Sequence, residues 1–144
     1  MSDIGQAIGR PIPFASLLGI ALRGRSPGHA VLELQLREEL MNSAGTAHGG
    51  VIMTLADVAM SVAARSAAPD AYFAVTMEMK TSFIAPCSGL LVVEARCLHA
   101  ARTVAFSEAE VREDASGKLV ARASGTFMLR RERATGEAPA ASDS

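Results

Sequence analysis

The stretch from His48 to Ala67 limits what this chain can become more than any other. No proline interrupts it and no glycine after Gly50, and its Ala, Leu and Met content favours a helix. Between Val51 and Ser66 its polar side chains are Thr54, Asp57, Ser61 and Arg65. Their spacing places them on one stripe of a helix, and every other side is apolar. The remaining residues must therefore bury this helix almost all round.

Those residues read as strands. Val31 to Arg37 sets Leu32, Leu34 and Leu36 against Glu33, Gln35 and Arg37, the period of two of a half-buried strand. Ile20–Arg25 forms a strand before it, ended by Ser26-Pro27-Gly28. After the helix come Tyr72–Phe83, Gly89–His99, Thr103–Arg112 and Leu119–Arg130. The connections at Pro86–Gly89, His99–Arg102 and Asp114–Gly117 are of hairpin length. The expectation is an α+β fold, an antiparallel meander wrapped around one long central helix. Residues 1–13 should cover the surface, Phe14 to Leu18 should tuck apolar groups against the body, and 39–47 should form a polar loop. One domain over 1–132 and a solvated tail at 133–144 complete the reading. Exposed sheet edges and an open helix face make self-association the natural remedy.

Composition narrows the function. With 14 basic and 15 acidic side chains the chain is no general polyanion binder. An apolar share of 49% excludes disorder, and the lack of Trp beside a single Tyr argues against base-stacking platforms. No nucleic-acid partner is expected. Cys87 and Cys97 read as buried reduced thiols rather than a disulfide. With His29, His48 and His99 they complete no zinc spacing, so neither metal nor cofactor is expected. The N-terminus shows no basic start with an apolar run behind it, and no apolar run reaches the roughly 18 residues of a membrane span. A cytoplasmic protein without a membrane partner is the expectation.

Chemistry concentrates between Asn42 and Asp57. His48-Gly49-Gly50 opens the helix, where backbone N–H groups are unpaired and the dipole end is positive. Glycines there let a substrate approach the backbone, so such an end can stabilise an oxyanion. Asp57 lies inside an otherwise apolar helix, where an unpaired carboxylate is costly. Taken singly, the glycines read equally as a tight turn, His48 as a hydrogen-bonding N-terminal residue and Asp57 as a solvated face residue. Their conjunction on the one helix that must be buried is what points to a site.

The pattern N-x5-HGG-x6-D, formed by Asn42, His48-Gly49-Gly50 and Asp57, resembles the hotdog-fold acyl-CoA thioesterases. It is most similar to the phenylacetate-pathway (PaaI-type) and acyl-CoA thioesterase 13-like subgroup. The resemblance runs over residues 14–131 and takes in Thr76–Pro86, the Ala101-Arg102-Thr103 turn and Gly117–Ala121. It implies a hotdog fold and hydrolysis of an aromatic or short- to medium-chain acyl-CoA. Asp57 would be the general base or nucleophile, and the Gly49 N–H would bind the thioester oxygen. Asn42 and His48 would shape the site, with Thr76 positioning water. Gly50, Thr54, Ser61 and Phe83 would contact substrate. So would Arg102, although relatives commonly carry Gly where this chain has Ala101, and a solvent-exposed role for Arg102 stays open. Phe83, Met53 and Met60 would line an acyl pocket, although each of them reads more readily as core packing.

Gly49 and Asp57 are eight residues apart, about 12 Å along a helix rising roughly 1.5 Å per residue. An attacker must lie within roughly 3.5 Å of a carbonyl held at Gly49. One helix therefore cannot supply both groups. A two-fold dimer with antiparallel helices could, which matches the arrangement the resemblance implies, with association into tetramers beyond it. Two other readings stay open: a non-catalytic acyl-CoA binding module, and an acyl-thioester dehydratase or hydratase.

Overall fold

A 19-residue helix, α3 (Gly49–Ala67), is the element around which the rest is arranged. The computed structural model describes residues 2–131, and the expected tail at 133–144 lies outside them. Before α3 come β1 (Ser2–Asp3), α1 (Ile4–Ala7), α2 (Pro13–Leu18), β2 (Ala21–Ser26) and β3 (His29–Gln35). After it come β4 (Ala71–Phe83), β5 (Leu90–Ala100), β6 (Val104–Glu113) and β7 (Leu119–Arg131). The seven strands form one antiparallel sheet in the order β1-β2-β3-β5-β6-β7-β4.

That order corrects the simple meander. β4 does not turn back into β5; it lies at the sheet edge against β7, and β5 pairs with β3. The link over Pro86–Gly89 is a crossing at the sheet end and not a hairpin. Its course is fixed by hydrogen bonds: the Ile84 and Ala85 N–H groups donate to the Val120 carbonyl, and the Cys87 carbonyl accepts from Ala47. These contacts draw the chain past the start of β7 and the entry to α3.

The inward residues of the strands close on the helix. Leu32, Leu34, Leu91, Val93, Val111, Val120 and Phe127 are fully buried, as are Leu55, Ala56, Ala59, Met60, Ala63 and Ala64 of α3. Small helix residues let sheet and helix approach closely, and the Ser107 hydroxyl of β6 donates to the Met60 carbonyl at 3.1 Å. By length and composition α3 is apolar enough to cross a membrane, contrary to the sequence reading, yet most of it is covered by this sheet. Its polar stripe, Thr54, Asp57, Ser61 and Arg65, is half-buried.

Two smaller expectations are also adjusted. In α2 only Ala15 and Leu18 reach the core, while Phe14 and Leu17 are 56% and 68% exposed, because so short a helix can turn only one face inward. Both cysteines are free thiols, but Cys97 is only half-buried.

One irregularity positions the site. The β4–β7 register shifts between Thr76 and Glu78, so Met77 is an extra residue that turns outward. Such bulges re-aim neighbouring side chains. Two residues further along, opposite Met79, Gly125 of β7 leaves room for the helix: a Cβ there would meet the Phe127 ring at 3.0 Å, Met60 Cε at 3.2 Å and the Glu78 carbonyl at 3.3 Å. Gly125→Ala is expected to cost about 1–3 kcal/mol, the usual range for overpacking, measured by denaturant unfolding. An unchanged midpoint would show that helix and sheet have slack at this point.

Candidate active site

The entry to α3 is set by His48. Its carbonyl accepts the Val51 and Ile52 N–H groups, and its imidazole Nδ1 accepts the Gly50 N–H at 2.9 Å. Because Nδ1 is the acceptor, the ring proton of the neutral imidazole sits on Nε2. Capping by His48 thus uses the N–H of Gly50 and leaves that of Gly49 with no partner among the described residues. A Cβ on Gly49 would lie 3.4 Å from the Phe83 ring, the near edge of ordinary van der Waals contact, so Phe83 packs directly over the first turn.

The loop in front of the helix is stapled by Asn42. Its Oδ1 accepts from the Ala44 and Thr46 N–H groups at 2.9 and 3.1 Å, and its Nδ2 donates to Thr46 Oγ1 at 3.0 Å. Asn42 therefore holds the Asn42–Ala47 turn, with Gly45 at φ +76° inside it. A cleft of about 360 Å³ opens beside this turn, lined by Asn42, Thr46, Gly49, Ile52, Phe83 and Ile84 among others.

Asp57 is two turns further along α3, half-buried, and its Oδ1 accepts the Thr76 hydroxyl at 2.5 Å. That contact is the compensation the buried carboxylate required. Burial nonetheless wins: it raises the Asp57 carboxyl above the usual range, and the Thr76 hydrogen bond offsets only part of the rise. The group is a partly desolvated carboxylate held in one orientation.

The structure thus joins Asp57 to Thr76 and gathers Asn42, His48, Gly49, Gly50 and Phe83 at the other end of the stripe. Thr54 lies between them with its hydroxyl donating to the Gly50 carbonyl, and Ser61 lies one turn beyond Asp57 with its hydroxyl donating to the Val58 carbonyl. Met60 is fully buried in the core and Met53 is 37% exposed on the stripe side. Arg102 is not part of either group: it sits on the exposed β5–β6 turn, where its carbonyl accepts from Arg131. Sequence reasoning misses Thr46 and Ile84 as cleft residues. Thr46 reads as loop filler, and Ile84 becomes a wall only because β4 runs to the sheet edge instead of into a hairpin.

Comparison with known proteins places these features. The sequence model of the thioesterase superfamily matches residues 44–120. Human acyl-coenzyme A thioesterase 13 is 29% identical over 135 residues, covering 90% of this chain and 94% of that protein. A point-mutant structure of the phenylacetic acid degradation protein PaaI from Thermus thermophilus is 30% identical with a TM-score of 0.73, covering 83% of this chain and 99% of the other. A Streptococcus mutans protein solved bound to acetyl-CoA is 25% identical with a TM-score of 0.72, covering 80% and 91% of the two chains.

The raised Asp57 carboxyl has a consequence for stability. A folded-state pKa above the unfolded one means that ionised Asp57 destabilises the fold at neutral pH, and that this cost vanishes as pH falls through the folded value toward the unfolded one, about 3.9. Asp57→Asn, which can still accept from Thr76, is expected to unfold at higher temperature than the wild type at pH 7. The difference should shrink steadily on acidification toward pH 4. A variant less stable at pH 7 would mean that Thr76 and solvent fully compensate the charge.

Proposed function

The chain belongs to the thioesterase superfamily, and from that premise we propose that it hydrolyses the thioester of an acyl-CoA to a carboxylic acid and free CoA. The observation that carries this reading is the pairing of Asp57 with Thr76 on a helix whose first turn keeps one N–H free at Gly49. The thioester oxygen accepts that N–H, which strengthens as the carbonyl becomes an oxyanion. Asp57 takes a proton from water as the water oxygen bonds to the carbonyl carbon. The tetrahedral intermediate then expels the thiolate, which leaves as the CoA thiol once protonated. Thr76, donating to Oδ1, leaves Oδ2 to face the water. The names of the similar proteins support CoA as the thiol, and the size of the cleft beside Gly49 suits an aromatic or short- to medium-chain acyl group.

The two halves of this chemistry belong to different subunits in the proposed enzyme. The spacing of Gly49 and Asp57 requires it, and β4 supports it. This strand is an unpaired edge that exposes Phe73, Val75, Met77 and Phe83. Open apolar edges invite pairing with a second chain. Edge-to-edge pairing through β4 would set two antiparallel α3 helices side by side, each Asp57 serving Gly49 of the partner subunit.

Free CoA released from phenylacetyl-, benzoyl-, short- and medium-chain acyl-CoAs is the direct test. Turnover of at least one is expected, with a loss of about 10²-fold or more in Asp57→Asn. In the wild type, kcat/KM should fall on acidification through a value above the ordinary Asp carboxyl, 3.8. Saturable acyl-CoA binding without CoA release would instead make this a binding module. Val75→Lys on the β4 edge should shift the protein toward monomer in light scattering and remove activity in parallel. An active monomer would break the shared-site arrangement.

A further inference from the structure

Two charges of opposite sign stand two residues apart on the open edge of the sheet. Glu78 and Lys80 of β4 are exposed and alternate with the half-buried Met79 and Thr81. Among the described residues neither belongs to an ion pair. Glu78 Oε1 accepts the Thr126 hydroxyl at 3.1 Å, and the residue across from Lys80 on β7 is the uncharged Ser124. On the inner strands of the same sheet, charges are matched: Arg122 of β7 pairs with Glu110 of β6, and Arg96 with Glu94 on β5. The unmatched pair lies where the sheet runs out of strands.

The shared site limits where a second copy can sit. If the Gly49 N–H of each subunit meets Asp57 of the other, the two-fold axis passes midway between them, level with Met53. On β4 the corresponding marks are Thr76, bonded to Asp57, and Phe83, packed over Gly49. Midway between those marks lie Met79 and Lys80. In an antiparallel pair, directly opposed residues point to the same face of the sheet. The β4 ladder is regular from Glu78 to Phe83, so the axis passes through a residue and not between two. Lys80 on the axis would set two ammonium groups directly opposite each other and Glu78 against Ser82, and like charges so placed repel. Met79 on the axis sets Glu78 against Lys80 of the partner subunit, and Lys80 against the partner's Glu78.

We propose that Glu78 and Lys80 set the register of the dimer, through two reciprocal ion pairs that flank Met79 on the two-fold axis. The inference rests on the shared-site reading above and adds which residue faces which. An edge strand commonly carries lysine to keep other strands away. Charges that alternate in sign do something different: they admit a second copy of themselves in one register and repel it in the next. Exposed ion pairs contribute little to stability, but they are well suited to selecting a register. The selection matters here because the smallest slip that keeps every side chain on its own face is two residues. Such a slip displaces one subunit by about 7 Å at roughly 3.3 Å per residue. It would carry Gly49 away from the Asp57 it must meet. Glu78 and Lys80 are in this sense positioning residues, acting on the reaction through the alignment of two helices.

The test reverses the charges. Glu78→Lys and Lys80→Glu each set like charges opposite each other at two places. Each variant should dissociate at a concentration at least about tenfold above that of the wild type in light scattering over a dilution series, and lose CoA release in parallel. Glu78→Lys combined with Lys80→Glu should regain the wild-type midpoint. An equal mixture of the two single variants should form heterodimers and regain activity that neither has alone, a rescue that a merely structural role would not produce. A second readout is covalent. Under mild oxidation Met79→Cys should join to its own copy across the axis, with the oxidised wild type as the control for Cys87 and Cys97. Glu78→Cys and Lys80→Cys, each about 7–8 Å from its own copy, should not. A dimer that tolerates Glu78→Lys, or that joins through Lys80→Cys instead, overturns the register and leaves the thioesterase reading standing. A monomeric wild type overturns the register together with the shared site. Rescue by charge exchange and joining at Met79→Cys, with no CoA released from any thioester, sustains the register and overturns the thioesterase reading.

Discussion

A carboxylate on a helix that must be buried is the constraint on which this molecule turns. The apolar sides of α3 leave the sheet no choice but to wrap it, and wrapping brings Asp57 partly out of water. A fold has two ways of keeping such an acid: pair it with a cation, or give it a partner that does not neutralise it. This chain does the second. Thr76 supplies a hydroxyl and no charge, so Asp57 keeps one oriented oxygen and a carboxyl harder to ionise than in water. A cationic partner would instead have favoured the ionised form and made the carboxylate less basic. The bulge at Met77 belongs to the same arrangement, since Thr76 occupies the ladder position just before the register of β4 shifts.

The other end of α3 solves the complementary problem. A helix start offers several donors, and a substrate oxygen needs one that no protein group already holds. His48 takes the Gly50 N–H through Nδ1, and Asn42 holds the preceding turn through a closed set of hydrogen bonds. What remains is the Gly49 N–H, without a partner among the described residues, beside a cleft lined by Phe83. In the proposed reaction these polar side chains work by occupying what the substrate must not use.

Much of this is legible without coordinates. The interruption-free apolar stretch marks α3 to within a residue at its start, and alternation in Val31–Arg37 marks β3 in outline. Asn42, the HGG triplet and Asp57 stand out because local chemistry, not packing, makes them unusual. The pairing order is not legible. Period-two patterns say which face of a strand is buried and nothing about its neighbours, so the sequence suggests β4 beside β5 when it lies beside β7. The charge pair on the β4 edge is hidden for the same reason. Glu78 and Lys80 read as the polar face of an inner strand, and only the fold leaves that strand at the sheet edge. Arg102, by contrast, is conspicuous in a turn that stands apart from both groups of site residues.

The chain's two ends of chemistry lie on a single rigid rod, and this has a further consequence. A helix fixes the separation of Gly49 and Asp57, so no loop movement within one chain can bring the free N–H and the carboxylate to one carbonyl. A second copy could, and the proposed antiparallel dimer makes the arithmetic of the helix work twice. In the proposed dimer one subunit offers the donor at its helix start and the other offers the acid. Each proposed site then uses two fixed points on two rods, set by packing against two sheets. A single flexible chain could have gathered the same groups only by ordering loops at every turnover. The apolar helix that most restricted the fold is in this sense also what would pre-organise the proposed site: its rigidity keeps the two groups apart in one chain and would align them in two.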